Sequence, residues 1–554
     1  MPGEDERAYA GRWVARLRGR VIAQGGTPEQ ARHAAQSRYK ERPEIVFMPP
    51  HLPLNFPPIL DSVRVSLPDG LPVFLAGGAV RDALIGRTIH DLDFVVERDA
   101  IKTARSVANV LSRTGNGTIS KADFYPLDTE RDTGRVIVTD KEGSRTLLDF
   151  SAFRGQDLEA DLRGRDFTLN AIAINLSDNT VHDPLGGATD LKEKRLRACS
   201  PSTFVDDPVR ILRGVRLAAN FGFSILPDTR KAMKESAGLL GNISPERMRD
   251  EFFRILDGQQ PAACLRALDL LGATDRFLPE LHALKGVQQP APHVQDVWEH
   301  TLGVLNHLES LLNALAPDYN PDTASDLFNG LLVLRIGRFR HQISASLNAA
   351  LTSDRSKRSL LFFAALFHDV AKPLTMKTDE GGQLRFWDHD QQGAEIAAKR
   401  GHALALSNAE ITHLETVIRN HMRILFHADR LTREGRQPSR RAIYRFFRDT
   451  GPAGVEVCLL TLADMRATYE QTLPQEAWAD TLEVVRLMLE NWFDKPAESI
   501  APPPLVNGDD LMGELKLRPG KKIGEMLEAI HEAQAIGLVS TREQALELAR
   551  RKIL

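Results

Sequence analysis

The chain has 554 residues, of which 42% are hydrophobic and 26% are charged, and this balance excludes an intrinsically disordered protein. Because domains commonly hold about 100–200 residues, the length predicts three or four units. A formal charge of −3, from 71 basic and 74 acidic residues, excludes a histone-like, indiscriminate nucleic-acid binder.

Membrane and secretory segments are not predicted from the sequence. No apolar run reaches the roughly 18–20 residues that a membrane span requires, and the N-terminus is too polar for a secretory signal. The cysteines Cys199, Cys264 and Cys458 lack metal-ligand spacing, and any pairing leaves one thiol over. We therefore expect a cytoplasmic protein without a membrane partner.

Residues 1–58 are predicted to form a helical arm and a proline-rich linker. Arginines recur along stretches compatible with helix, and Thr27 followed by Pro28 is typical of a helix cap and first turn. The linker is the sequence FMPPHLPLNFPP, Phe47–Pro58.

Residues 59–200 are predicted to form an α/β head with a mixed sheet and helices. Short runs rich in β-branched and aromatic residues, such as LPVFLA, DLDFVV, GRVIVTD, RTLLDF and AIAINL, read as strands. Beyond about residue 200 helical periodicity replaces these strands, which predicts an all-α body. We divide this body into a helical neck over 201–286, a helical domain over 287–475 and a C-terminal tail over 476–554.

A glycine turn and a carboxylate strand carry the first chemical signal. In FLAGGAVRDALIGRTIHDLDFVV, a buried strand runs into Gly77 and Gly78, and a helix then begins, where backbone amides favour phosphate. Asp91 and Asp93 stand two residues apart on the next strand and therefore share a face. Such paired carboxylates suit Mg²⁺ bound to nucleotide phosphates, and Asp149 of RTLLDF would add a third if its strand pairs alongside.

Four ordered motifs over roughly residues 70–285 resemble a known family. GGAVRD followed by DLDFVV resembles motif A of the class II tRNA nucleotidyltransferases and bacterial poly(A) polymerases, within the polymerase-β-like superfamily. RGRDFTLNAIAIN resembles the family's ribose-reading motif, with Gly164 where an arginine is usual. HDPLGGATDL resembles the segment that follows it, and DDPVRILRGVRLAANFGF resembles the base-reading helix.

The resemblance implies nucleotidyl transfer to an RNA 3′-hydroxyl. Asp91, Asp93 and Asp149 would be the catalytic carboxylates, with two Mg²⁺ ions on Asp91 and Asp93. The residues implied to bind the triphosphate, the ribose and the base of CTP or ATP are Gly77, Gly78, Arg81, Asp82, Arg165, Asp166, Asn170, Asp207, Arg210, Arg213 and Arg216. Asp207 and the three arginines of this last group recur every three residues, which predicts one face of a helix.

The motifs are shared by two activities, CCA addition to tRNA and polyadenylation. The poly(A) polymerases usually carry an arginine-rich segment after the carboxylate strand and a basic tail. Here the corresponding stretch, TISKADFYPLDTERDTGRVIV, has no such segment, which favours CCA addition to tRNA from CTP and ATP. Polyadenylation, and CC-only or A-only addition, remain alternatives.

A second set of motifs resembles the HD phosphohydrolase superfamily over roughly residues 290–470. His300, His368 with Asp369, and Asp464 follow in the superfamily's order, which implies a divalent metal of unspecified identity. His389 and His421 would be additional ligands or phosphate contacts. A phosphohydrolase activity is the expectation. The alternatives are a domain that only extends the tRNA-binding body and a phosphohydrolase whose head merely binds RNA.

The tail resembles the C-terminal segment of bacterial nucleotidyltransferases that carry HD domains. Lys521 and Lys522 open a helix at the turn PGKKIG, and we expect them to contact the tRNA backbone. A capped helix that packs on the body is the alternative interpretation.

Overall fold

The structure is a computed structural model, and its contacts divide the chain into two compact units, Met1–Leu239 and Leu240–Leu554. The division falls inside the segment 201–286 that we expected to form one neck. The described residues are 9, 12–17, 20–36, 38–39, 41–48, 54–68, 70–114, 118–319, 326–352 and 355–553.

The N-terminal segment contains a sheet, so the prediction of a helical arm over 1–58 is wrong. Strands β1 (Arg12–Leu17), β2 (Arg20–Gly25) and β3 (Glu44–Met48) form an antiparallel sheet in the order β2-β1-β3. The one helix in the described part of this segment, α1 (Pro28–Gln36), begins as predicted after Thr27, whose hydroxyl accepts from the Gln30 amide. Tertiary pairing overrides local helix compatibility because Trp13 packs against Phe47 across the sheet. Residues 49–53 of the expected linker lie outside the described residues.

The head is built on a seven-stranded mixed sheet in the order β10-β9-β4-β5-β8-β7-β6. Its strands are β4 (Val73–Ala76), β5 (Asp91–Val96), β6 (Ile119–Asp128), β7 (Thr133–Asp140), β8 (Arg145–Ala152), β9 (Ala173–Asn175) and β10 (Val181–His182). The five predicted strands are all present, whereas β6 and β10 were not predicted. Strand β4 is buried throughout, and Phe94 stacks on Phe150 of the neighbouring strand at 4.6 Å between ring centroids.

Short helices surround this sheet and continue the first unit. They are α2 (Ile59–Ser66), α3 (Gly78–Leu84), α4 (Ala100–Thr114), α5 (Leu158–Arg163), α6 (Gly187–Lys192), α7 (Thr203–Asp206), α8 (Arg210–Phe221) and α9 (Pro227–Ser236). A short parallel pair, β11 (Arg195–Leu196) and β12 (Ser224–Ile225), lies beside them.

The second unit is almost entirely helical, as predicted for the body. Its helices are α10 (Pro245–Leu256), α11 (Pro261–Leu270), α12 (Thr274–Phe277), α13 (Val297–Ala314), α14 (Leu327–Ile336), α15 (Arg340–Asn348), α16 (Lys357–Phe367), α17 (Lys372–Thr375), α18 (His389–Ala403), α19 (Asn408–Asn420), α20 (Arg423–Glu434), α21 (Arg440–Thr450), α22 (Gly454–Tyr469), α23 (Gln475–Phe493), α24 (Pro496–Ser499), α25 (Gly508–Leu515), α26 (Lys521–Ala535) and α27 (Arg542–Ile553). Two small hairpins depart from the all-α prediction, β13 (Ala350–Thr352) with β14 (Arg355–Ser356) and β15 (Met376–Thr378) with β16 (Leu384–Phe386).

The core of this unit forms around helices that are apolar on all sides. Every residue from Ser359 to Phe367 on α16 is buried, and Phe363 packs against Phe252 of α10. A helix buried this completely loses its solvent face, so its polar residues need a partner or a function. Among the described residues no helix is both long enough and apolar enough to cross a membrane.

Candidate active sites

The sheet register brings the three predicted carboxylates of the head together. Strand β5 pairs in parallel with β8 so that Asp93 lies directly beside Asp149, and Asp91 precedes Asp93 on the same face. Burial is the largest influence on Asp93 and raises its pKa; Arg165 opposes it, and Asp149 and Asp91 add to the rise. A cluster of carboxylates that repel one another in this way supplies hard oxygen donors that fit a divalent cation such as Mg²⁺.

The glycine turn lies against this cluster. Gly77 follows β4 with φ +77°, in the left-handed region. A Cβ atom at this position would lie 3.0 Å from Arg165 Nη1 and 3.4 Å from Asp93 Oδ2. The position therefore requires glycine for both its backbone angle and its space. Gly78 then begins α3 and carries the chain away from the carboxylates.

A continuous set of hydrogen bonds joins the glycine-turn helix to the ribose-reading motif. Arg81 donates to both carboxylate oxygens of Asp82, at 2.9 and 2.8 Å, and to Asn170 Oδ1 at 2.8 Å. Asn170 donates in turn to Asp166 Oδ1 at 3.0 Å, and Arg213 lies 2.7 Å from Asp166 Oδ2. Residues predicted separately from three motifs thus form one network.

Asp166 is a buried carboxylate within that network. Burial alone would raise its pKa, but the Arg213 guanidinium and the hydrogen bonds from Asn170 and the Phe167 amide outweigh burial and lower the pKa. The side chain is therefore an ionised acceptor at neutral pH. This is the state needed to accept a hydrogen bond from a sugar hydroxyl.

The predicted base-reading row is only partly helical. Helix α8 begins at Arg210, and Asp207 is extended, with φ −152° and ψ 94°. The expectation that Asp207 shares the helix face is therefore wrong, because Pro208 disfavours helical backbone in the residue before it. Arg213 and Arg216 lie on α8, whereas the Arg210 guanidinium donates to the backbone carbonyls of Gly164, Arg165 and Thr203.

Arg135 is a site residue that the sequence analysis did not single out. It stands on β7 opposite Asp149 and donates to both oxygens of that carboxylate, at 2.7 and 2.8 Å. Its hydrogen bonds with Asp149 are the largest influence on its pKa, which is raised. The sequence shows only that side chains alternate between the two faces of β7 and β8. The register of the two strands is also needed to place Arg135 opposite Asp149.

The second unit gathers all four predicted HD residues into one buried cluster. His300, His368 and Asp464 offer ligand atoms within 4.8 Å of one another, and Asp369, His389 and His421 form a second such group. His368 and Asp369 come directly after α16 rather than on it. His300 Nε2 lies 3.0 Å from Asp464 Oδ1, and His368 Nε2 lies 3.1 Å from Asp369 Oδ2. His389 and His421, predicted as additional ligands, are therefore adjacent to the main set.

Backbone carbonyls orient three of these imidazoles alike. The Nδ1 atoms of His368, His389 and His421 lie 2.6–2.7 Å from the carbonyl oxygens of residues three positions earlier, Ala365, Phe386 and Ile418. In this arrangement Nδ1 donates and Nε2 faces the cluster, the usual orientation of metal-bound histidine. His300 Nε2, His368 Nε2 and Asp369 Oδ2 are buried without a hydrogen bond of good geometry, as expected of a site that holds a cation.

The electrostatics of this cluster also favour a cation. Burial alone would lower the pKa of His368, but the carboxylates of Asp369 and Asp464 raise it. Burial lowers the pKa of His421 to about 4, and the neighbouring histidines add to the effect, so this ring is neutral at pH 7. Lys372, which the sequence analysis did not single out, lies 2.6 Å from Asp369 Oδ2.

A cavity of about 440 Å³ opens onto the cluster. Asp369, His389 and Asp464 reach it from the metal-ligand side, and cationic and apolar side chains complete its wall. They include Lys372, Arg385, Phe386, Leu425 and Arg433. A phosphate ester attached to an apolar or aromatic group fits this combination.

The predicted RNA contacts of the tail lie at the start of α26. Lys521 and Lys522 are its first two residues and are exposed. The Lys521 ammonium lies 3.7 Å from the Glu525 carboxylate one turn later. This ion pair is exposed and weak, so a phosphate can replace the carboxylate.

Comparison with protein families matches four consecutive segments of the chain. Residues 73–197 match the poly A polymerase head domain, and residues 222–285 match the "Probable RNA and SrmB- binding site of polymerase A". Residues 297–464 match the HD domain, and residues 499–549 match tRNA nucleotidyltransferase domain 2.

Several curated relatives align along most of the chain. The CC-adding tRNA nucleotidyltransferase of Thermus thermophilus is 32% identical over 86% of this chain and 92% of its own length. The A-adding tRNA nucleotidyltransferase of Deinococcus radiodurans is 31% identical over 86% of this chain and 94% of its own. The multifunctional CCA protein of Xanthomonas campestris is 39% identical but over 40% of this chain and 54% of its own.

Solved structures share the fold. A CCA-adding enzyme in complex with ATP has a TM-score of 0.56, with 21% identity over 90% of this chain and 97% of that one. The Thermotoga maritima CCA-adding enzyme complexed with tRNA has a TM-score of 0.52, with 20% identity over 91% and 97%.

Proposed function

The chain belongs to the class II tRNA nucleotidyltransferases, and from this membership we propose that it completes the 3′-terminal CCA of tRNA from CTP and ATP. The observation that carries the proposal is the juxtaposition in the head of the paired carboxylates, the glycine turn and the Asp166 network. Each of the three serves a different part of one nucleotide, and all three lie in one unit.

The residues of the head divide the work of nucleotidyl transfer. Mg²⁺ ions bound by Asp91 and Asp93 would supply the acidity that ionises the RNA 3′-hydroxyl and the charge that offsets the leaving pyrophosphate. The Gly77–Gly78 turn leaves room for the triphosphate, and Arg81 lies beside it with donors still available after its bonds to Asp82 and Asn170. Asp166 accepts from the ribose hydroxyl, and Arg213 keeps that carboxylate ionised. Arg135 holds Asp149 in a fixed orientation next to Asp93.

Stepwise extension of tRNA tests the proposal. Transcripts ending at the discriminator base, at C and at CC are incubated with Mg²⁺ and labelled CTP, ATP or both. We expect addition to stop after CCA, and we expect Asp91→Asn and Asp93→Asn to reduce it by at least about 10³-fold because a lost ligand leaves the cations poorly held. Full addition by either variant would refute the assignment of the site. A long A-tract on unrelated RNA would indicate a poly(A) polymerase instead.

A partial activity is the second candidate. The relatives that align along almost their whole length include CC-adding and A-adding enzymes. The same assay separates these outcomes: product that ends at CC, or incorporation of A alone onto a CC end, would assign this protein to one half of the reaction.

We also propose that the HD cluster is a metal-dependent phosphohydrolase site. Support comes from six ligand residues with their Nε2 and carboxylate atoms close together, and from the cationic cavity beside them. A divalent cation bound there would supply an activated water at neutral pH. Lys372 and Arg385 would hold the phosphate, and Asp369 keeps Lys372 in place.

Hydrolysis of bis-p-nitrophenyl phosphate with added Mn²⁺, Ni²⁺ or Mg²⁺ tests this second site. We expect His368→Ala to abolish hydrolysis and to leave CCA addition within about twofold of the wild-type rate, because the ligands lie in a different unit from the carboxylates. Hydrolysis that survives in His368→Ala would exclude the cluster as its source. No hydrolysis by the wild-type protein with any of the three ions would favour the alternative of a domain that only extends the tRNA-binding body.

A further inference from the structure

The segment from 419 to 449 is strongly basic in a chain that is acidic overall. It holds nine arginines, no lysine and three acidic residues, whereas the formal charge of the whole chain is −3. The segment covers the end of α19, then α20, the connecting loop and α21. A concentration of guanidinium groups without lysine favours planar, bidentate partners such as phosphate or carboxylate.

Three of these arginines hold the tail. Arg441 and Arg445 each lie 2.9 Å from Glu532 of α26, and Arg448 reaches Glu528 of the same helix at 3.4 Å. Tyr444 also donates to Glu528, at 3.2 Å. These contacts are intramolecular and account for one face of α21.

Four other arginines are also exposed, and we call this set the arginine ridge: Arg430, Arg433, Arg436 and Arg440. The side chains of Arg433 and Arg436 are 75% and 72% exposed. The ridge carries ion pairs with Asp429 and Glu434, at 2.7–3.6 Å. Exposed ion pairs of this kind are weak because water and salt screen both charges, so a phosphate can replace the carboxylates.

One member of the ridge, Arg433, lies in the wall of the HD cavity together with Asp429 and Thr432 of α20. Phe426, 62% exposed, stands four residues before Arg430 and seven before Arg433, on the same face of α20. An exposed aromatic ring followed by regularly spaced guanidinium groups is the combination that binds a single-stranded nucleic acid by stacking and by backbone contacts.

We propose that the arginine ridge binds the phosphate backbone of RNA and that Phe426 stacks on a base, so that an RNA strand lies across the mouth of the HD cavity. The partner, tRNA, is taken from the proposed function. The new element is the surface that would contact this tRNA, formed by the arginine ridge and Phe426. The ridge arginines would thus contact RNA. The arginines of α21 that contact Glu528 and Glu532 instead hold the tail within the same chain.

Salt-dependent binding of tRNA to the full-length protein tests the ridge. Binding of a labelled transcript that ends at the discriminator base is measured by fluorescence anisotropy between 50 and 300 mM KCl, without nucleotide. Each lost phosphate contact lowers the slope of log Kd against log salt by about 0.7–0.9. We therefore expect the double variant Arg430→Gln/Arg433→Gln to lower the slope by about 1.5 and to raise Kd about five- to tenfold at 150 mM salt.

A matched pair of arginines controls for the change in net charge. Arg335 and Arg338 are also exposed and also pair with acidic residues, Glu483 and Asp494. The double variant Arg335→Gln/Arg338→Gln removes the same charge and is expected to leave the slope unchanged. Equal Kd and slope for both double variants would overturn the proposal and leave an acidic protein partner as the occupant of the ridge.

Two further variants keep the test decisive. Arg436→Gln/Arg440→Gln changes the other two ridge positions and should reproduce the fall in slope if the first pair perturbs folding. Phe426→Ser should raise Kd about five- to twentyfold without a change in slope, because stacking releases no counterions. Nucleotide addition at saturating tRNA is measured in parallel, and its absence in the wild-type protein would count against the proposed function. Whether the ridge binds RNA is judged separately, from the slopes of log Kd against log salt.

Discussion

At the scale of single residues, the carboxylate cluster of the head is closely surrounded by side-chain and backbone atoms. Asp93 is flanked by Asp149 across the strand pair and by the Gly77 backbone, and Arg165 approaches from the ribose-reading motif. Arg135 supplies the positive charge that offsets Asp149. A side chain added at this point would therefore disturb the geometry of the carboxylates in addition to straining the backbone.

A methyl group at Gly77 should harm catalysis far more than the same group at Gly86. Both glycines have positive φ, +77° and +68°, so alanine costs about 1 kcal/mol of backbone strain at either site. Only at Gly77 does the new Cβ meet Arg165 and Asp93, since nothing lies within 4 Å of it at Gly86. We expect kcat/KM for CTP incorporation to fall about 10–100-fold in Gly77→Ala and to stay within about twofold in Gly86→Ala. Similar losses in both would show that backbone strain alone is responsible.

At the scale of secondary-structure elements, buried charges hold helix ends in place. Helix α19 begins with a capping box in which Ser407 and Glu410 bond to each other's amides. Arg355 donates to both oxygens of Glu410, at 2.6 and 3.0 Å, and thereby ties the β13–β14 hairpin to the helix. Burial would raise the pKa of Glu410, but Arg355 and Ser407 outweigh burial and lower it to about 2.

Glu410→Gln should destabilise the second unit in a pH-dependent way. The folded-state pKa lies below the ordinary value of 4.5, so Glu410 contributes its stability fully above pH 4.5 and loses it as the pH falls towards 2. We expect the variant to lose about 2–3 kcal/mol of unfolding free energy at pH 7, because Arg355 is largely buried and loses its two short bonds to a charged carboxylate, although Asp250 remains 3.8 Å away. The difference in unfolding free energy between the variant and the wild type, measured by urea denaturation, should begin to decrease below pH 4.5.

Glu415 on the same helix provides the comparison. It is partly exposed and 3.6 Å from Arg419, so Glu415→Gln should cost less than about 0.5 kcal/mol. A Glu410→Gln defect of the same size at pH 7 and pH 4 would contradict the assigned role of the charge.

At the scale of the whole molecule, each of the two compact units carries its own set of candidate metal ligands. The carboxylates of the head belong to Met1–Leu239, and the histidine cluster belongs to Leu240–Leu554. In the second unit the ligands come from distant positions along the chain, between His300 and Asp464. A cation bound to ligands so far apart in sequence stabilises the fold that brings them together.

Divalent cations should therefore stabilise the second unit through the HD cluster. At a concentration 100 times Kd, a bound ion adds about 2.7 kcal/mol, which corresponds to a rise in melting temperature of several degrees. We expect calorimetry with Mn²⁺ to show this rise in the wild-type protein and in Asp93→Asn, and to show none in His368→Ala. A full shift in His368→Ala would mean that the stabilising ion binds elsewhere.

The sequence alone determined the order of the motifs and the α/β head with its helical body, and from it we predicted the candidate residues of both sites. It did so because strand alternation, helix periodicity and fixed spacings such as that of Asp91 and Asp93 are local properties of the chain. The same local reasoning failed at the N-terminal sheet, where pairing with β3 overrode helix compatibility, and at Asp207, where Pro208 interrupts the expected face.

Only the tertiary structure decided which distant residues meet. The register of β5, β7 and β8 places Asp93, Asp149 and Arg135 in one row, although Arg135 and Asp149 lie 42 and 56 positions after Asp93 in the sequence. The packing of the second unit likewise brings His300 to Asp464, and it divides the arginines of 419–449 between the tail and an exposed ridge. Such contacts follow from how elements pack in three dimensions, and that arrangement is not encoded in any short stretch of the chain.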